Sequence, residues 1–81
     1  MLFRSGLAYM EIGKFDEAIS SFNVIIDNND NLFIEQALWY QGLSYMRSDQ
    51  IDKAKDLFSK LKSSNSIYKN KAELILSNLK K

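Results

Sequence analysis

"WYQGLSYMRSDQIDKAKDLF", residues 39–58, sets Gly42 among helix-forming residues. Tyr45 follows three residues on, Ala54 twelve on and Phe58 sixteen on. "RSGLAYMEIGKFDEAISSF", residues 4–22, repeats the spacing with Gly6, Tyr9, Ala18 and Phe22. With a shift of 36 residues, positions 6–26 and 42–62 share seven identities in 21, where average residue frequencies would give about one or two. Repetition at such a period marks stacked supersecondary units. A glycine inside a helix costs about 1 kcal/mol relative to alanine, so its return at the same place calls for a compensating close contact.

Each unit reads as two helices. Leu2, Gly6 and Tyr9 share one face at helical spacing, as do Leu38, Gly42 and Tyr45. Breaks follow at residues 12–14 and 48–50. Beyond them Phe15, Ala18, Ile19, Phe22 and Ile26 form a second stripe, matched by Ile51, Ala54, Leu57, Phe58 and Leu61. Asp16, Glu17 and Asp52 sit in the first turns of these second helices, where the helix dipole favours negative charge. "DNNDN", residues 27–31, is expected to end one helix and cap the next, and "SSNS", residues 63–66, to do the same before a last helix with Tyr68, Ala72, Ile75 and Leu79 on its apolar stripe. The expected helices span about 2–12, 15–27, 32–47, 51–62 and 67–80, with ends uncertain by roughly 2–4 residues. Close approach is expected between Gly6 and Ala18 and between Gly42 and Ala54, with Phe22 and Phe58 filling the space between helices.

The chain of 81 residues suffices for one small domain, and its 46% hydrophobic and 26% charged residues suit a soluble globular fold. It has no proline, and its three glycines are isolated. No apolar run approaches the roughly 18 residues of a membrane span, so no direct membrane insertion is expected. "MLFRSGLAYMEIG" lacks the continuous apolar core and cleavage site of a signal peptide. Without cysteine there are no disulfides, and the compartment, cytoplasmic or periplasmic, stays open.

The inventory also bears on chemistry. With neither histidine nor cysteine, the commonest general base, metal ligand and nucleophile are missing. No glycine-rich phosphate loop occurs. "DNNDN" lacks the glycine and the closing glutamate of a calcium loop. The expectation is a non-enzyme with no catalytic residue, cofactor or metal. Residues 1–50 carry three basic against seven acidic side chains, and residues 51–81 carry eight against three. The basic part reads as a solvated surface. A nucleic-acid surface would need arginines and stacking aromatics in a groove-like pattern, so no nucleic-acid partner is expected.

The spacing resembles the tetratricopeptide repeat, W-x₂-L-G-x₂-Y…A-x₃-F…P. Gly42, Tyr45, Ala54 and Phe58 fit it, as do Gly6, Tyr9, Ala18 and Phe22. Leu2 and Leu38 replace the tryptophan, Ser5 and Gln41 the leucine, and Asp30 and Ser66 stand near the proline position. The resemblance implies an all-α fold: a short right-handed solenoid of helical hairpins with five helices in a single domain. Repeat one would occupy 1–30, repeat two 31–64 and a capping helix 65–81, as a fragment of a longer repeat protein.

It further implies a protein-interaction module whose first helices line a concave groove for a peptide or partner helix. The groove residues would be Phe3, Leu7, Met10 and Glu11, then Gln36, Trp39, Leu43, Met46 and Arg47. Helical spacing independently puts Phe3, Leu7 and Met10 on one face and Trp39, Leu43 and Met46 on another. Leu7 and Leu43 stand where some family members hold a peptide carboxylate with polar groups, so that mode is not expected. Two readings compete with the groove: the stripe as ordinary core, and the chain as an assembly segment with no ligand of its own. The first helix begins inside its apolar stripe, and two units are fewer than the roughly three a stable array needs. A homodimer through that open end is therefore expected.

Overall fold

Two turns of matching geometry organise the chain. In the computed structural model, which describes residues 2–28, 33–63 and 67–79, helix α1 (Leu2–Glu11) is followed by α2 (Phe15–Asp27), and α3 (Ile34–Arg47) by α4 (Ile51–Ser63). After α1 the backbone N–H of Gly13 donates to the Met10 carbonyl at 3.1 Å, and that of Lys14 to Tyr9 at 2.8 Å. After α3 the N–H of Asp49 donates to Met46 at 3.2 Å, and that of Gln50 to Tyr45 at 2.8 Å. These are paired Schellman closures, in which a left-handed residue lets the chain satisfy the last helical carbonyls and reverse. The left-handed residues are Gly13, φ 79°, and Asp49, φ 67°. They are repeat equivalents, and in the second unit an aspartate adopts the conformation that glycine takes freely.

The hairpins close on phenylalanine. A Cβ placed on Gly6 would stand 2.6 Å from Cε1 and 2.7 Å from Cζ of Phe22. One placed on Gly42 would stand 2.8 Å from the same two atoms of Phe58. The nearest neighbour of each glycine is therefore the ring of the facing helix, one turn beyond the alanine named from spacing. Ala18 and Ala54 are fully buried, as are Phe22 and Phe58. Gly6, Tyr9, Leu38, Gly42 and Tyr45 are at least half-buried, as are the stripes of α2, α4 and the last helix, and Ile25 and Leu76 join the core beside them.

The hairpins then stack. Ala37 of α3 shares a core cluster with Phe22 and Ile25 of α2. Gln41, nearly buried, donates from Nε2 to the Ile19 carbonyl at 3.0 Å, and buried Ser44 donates to the Tyr40 carbonyl at 3.0 Å. Helix α5 (Lys69–Leu79) lies on α4, with Ala72 in a cluster that holds Phe58 and Leu61. Consecutive helices pack in order, and among the described residues there is no strand. The result is an all-α solenoid of helical hairpins, with five helices among the described residues.

The structure describes the linkers only at their edges. α2 ends at Asp27 with Asn28 beyond it, as the composition suggests, but α3 starts after Phe33 with no side-chain cap. Phe33, at that start, is half-buried against the first core cluster. Residues 29–32 and 64–66, which hold most of the two expected linkers, lie outside the described residues.

Two predictions follow from this geometry. Gly42→Ala forces a methyl onto the Phe58 ring and should cost about 1–3 kcal/mol, the range for overpacking. Combined with Phe58→Leu it should cost less than the sum of the single changes, because both act on one contact; urea denaturation measures the cycle. At the turns, Asp49→Gly relieves a left-handed aspartate and should stabilise by about 0.5 kcal/mol, the balance between left-handed strain and the entropy of glycine. Gly13→Asp should destabilise by about as much. Opposite shifts of the two melting midpoints test the pairing.

Candidate protein-binding face

The apolar stripes of α1 and α3 are anchored from below by the two phenylalanines. Glycine leaves no Cβ, so the Phe22 ring crosses the α1 backbone and reaches Phe3, 5.9 Å between centroids and edge-on at 64°. Phe3 also meets Phe33 at 5.7 Å and Tyr40 at 5.6 Å. In the second unit Phe58 reaches Trp39 edge-on at 5.4 Å, and Trp39 stacks on Tyr68 at 5.2 Å with planes 12° apart. Aromatic pairs in such arrangements add about 0.5–1.5 kcal/mol beyond their buried area. The stripe is thus held rigidly, and both faces of α1 and α3 are partly covered. A single hairpin layer would not cover both; large rings passing over glycine do.

The expected site residues fall into three groups. Phe3, Leu7 and Met10 belong to the first core cluster, and Met10 keeps only 8% of its surface. Trp39 and Met46 pack on the second cluster, while Leu43 touches both and lies between the hairpins. Gln36 is half-buried, and Glu11 and Arg47 are exposed. Trp39, Leu43 and Met46 are each half-buried, with an apolar edge left to solvent. Burial raises the ionisation of the Tyr68 phenol above its ordinary range, and the nearby Tyr40 and Glu35 raise it further. Tyr68 therefore stays neutral beneath the Trp39 ring well into alkaline solution.

Spacing alone missed a second concavity. Between α2 and α4, floored by α3, lies a cleft of about 280 Å³ with Leu38 and Tyr45 at its base and Lys53 and Lys60 along its rim. Lys53 Nζ sits 5.7 Å from the Tyr45 ring centroid. The equivalent surface of the first unit, at Tyr9, Asp16, Glu17, Ser20 and Ser21, carries two carboxylates where this one carries two lysines and Asp56. The shift of 36 residues would have flagged it, since Glu17 falls on Lys53. Among the described residues no group of three His, Cys, Asp or Glu side chains could hold a metal ion, and no helix is long and apolar enough to cross a membrane.

A sequence model described as the tetratricopeptide repeat matches residues 1–31 and 36–66. No curated protein and no solved structure matches the chain. Repeats of this type generally mediate protein–protein interaction and are typically non-catalytic. With both units matched, and the glycine–phenylalanine hairpins stacked in tandem, the chain belongs to the tetratricopeptide repeat family.

Proposed function

We propose that the chain is a non-catalytic interaction module that offers the apolar edges of α1 and α3 to a peptide or a partner helix. The observation that carries this reading is Trp39. Its ring is clamped between Phe58 and Tyr68, beside the half-buried Leu43 and Met46. A rigid aromatic anchor loses little side-chain entropy on binding, and aromatic residues in such positions dominate interface energies. Exposed Glu11 and Arg47 stand at the ends of the two stripes, where they can set the register of a partner by charge. The non-catalytic part rests on the absence of histidine and cysteine from the whole chain.

Trp39 is the chain's one tryptophan, so its fluorescence reports the face directly. Selection from displayed libraries of helical and extended peptides should yield binders that shift Trp39 emission. Met46→Asp should weaken them by about tenfold or more, on the scale of about 1.4 kcal/mol per tenfold. Arg47→Glu should alter charge preference with the fold intact, since its side chain is exposed. Binders that ignore both changes and respond to Lys53→Glu would move the site to the cleft between α2 and α4. A failure to select any peptide would favour a purely structural segment.

A further inference from the structure

The cleft between α2 and α4 lies inside the array, between the two units, and every residue that lines it is described. Its floor and lower walls are apolar: Leu38 and Tyr45 of α3, Ile26 of α2 and the nearly buried Leu57 of α4. Gln41, only 3% exposed, lines it too. Its Nε2 is tied to the Ile19 carbonyl at 3.0 Å, which fixes the amide and leaves Oε1 without a donor among the described residues. No buried side-chain oxygen or nitrogen there lacks a partner, so Oε1 meets solvent, and the cleft is the opening that Gln41 lines. A free acceptor on a side chain already held in place suits a ligand N–H. The α4 rim carries exposed Lys53, Asp56 and Lys60. Lys53 Nζ lies over the Tyr45 ring at 5.7 Å, a cation–π contact that keeps the ammonium at the cleft.

We propose that this cleft is a second binding surface, which takes an extended segment of a partner protein with two acidic side chains about three residues apart and an apolar side chain between them. The dimensions set the spacing. Lys53 and Lys60 are seven residues apart on one helix, about 10 Å along its axis, and an extended chain covers that length in about three residues. Asp56 stands between the lysines and repels a third acid, so the middle of the segment is uncharged. On the α2 wall Asn23 Nδ2 donates to Asp27 at 3.3 Å. A carboxylate on that side directs the acids of the segment to α4. The apolar side chain enters against Leu38 and Leu57, and a backbone N–H reaches Gln41 Oε1. At about 280 Å³ the cleft falls just below the roughly 300–1,000 Å³ of small-molecule sites, so one anchoring side chain of a longer chain fits it better than an enclosed small molecule. This surface is separate from the Trp39 face, and the two readings stand or fall independently.

Nitrogen-15 NMR of the chain tests it, because the Gln41 side-chain amide reports the cleft and the indole of Trp39, the one tryptophan, reports the other face. Titration with the peptide Gly-Ser-Glu-Leu-Ala-Glu-Ser-Gly should shift the Gln41 amide and the backbone amides of α4, and leave the Trp39 indole in place. Replacing both glutamates by glutamine should weaken binding about tenfold, the scale of two exposed charge pairs. Replacing the leucine by serine should weaken it as well, and so should raising the salt. Lys53→Glu together with Lys60→Glu should reverse the preference, toward a peptide with lysines in place of the glutamates. Both side chains are exposed, so this variant should keep its helical circular dichroism. Equal binding of the glutamine peptide, shifts centred on the Trp39 indole, equal shifts from free glutarate, or no shift at millimolar peptide would each overturn the proposal.

Discussion

The contact between a phenylalanine ring and a bare glycine backbone carries this structure. Phe22 lies where the Cβ of any other residue at position 6 would be, and Phe58 does the same at position 42. The glycine costs its helix about 1 kcal/mol of propensity. In exchange a fully buried aromatic ring enters the space between paired helices, and burying such a side chain is worth about 1.5–3 kcal/mol. The ring also passes beyond the glycine to touch Phe3 or Trp39 on the far side. One contact thus closes the hairpin and stiffens the candidate binding face. The fold and the rigidity of that face have a common cause.

Much of this was legible in the sequence because the repeat shows the same constraint twice. Gly6 and Gly42, with the phenylalanines sixteen residues later, predict hairpins, and the stripes predict which sides are buried. Three features were less legible, each for a physical reason. The nearest neighbour of each glycine is a ring and not the alanine, because aromatic side chains reach across a helix and spacing marks only Cα positions. α3 starts after Phe33, whose ring packs on the first core cluster, a tertiary contact that spacing along the chain does not mark. The apolar stripes of α1 and α3 stayed open between core and groove, because the opposite side already supplied a core. Three-dimensional packing covers them in part, with Met10 nearly enclosed and Trp39 held by neighbours from α4 and the chain before α5.

The two units share a frame and differ in nearly everything placed on it. Gly13 and Asp49 make the same turn, one with no side chain and one with a carboxylate. Glu17 and Lys53 occupy equivalent positions and place opposite charges on equivalent surfaces. Changes at these positions leave the hydrophobic contacts alone, so they alter little of the stability. They do alter the field that an approaching molecule meets, which governs encounter and partner choice more than fold. What distinguishes the units is therefore read at the surface.

Helix α5 extends the same logic. The Ala72 amide donates to the Tyr68 carbonyl at 2.8 Å, as the Ala37 amide does to Phe33 at 2.8 Å. Ala72 then meets Phe58 and Leu61 as Ala37 meets Phe22 and Ile25, each pair being repeat equivalents. α5 thus sits on α4 much as α3 sits on α2, in a register of 35 residues where the first two units use 36. In that register Leu74 stands at the position of Trp39 and Ser77 at that of Gly42. Trp39 is shielded because Phe58 comes across Gly42 to meet it; no described helix brings a ring across Ser77, and Leu74 remains exposed. The exposure of Leu74 follows from the rule that holds the hairpins together. A first-type helix hides its apolar stripe when a second-type helix lies against it, as α2 lies on α1 and α4 on α3.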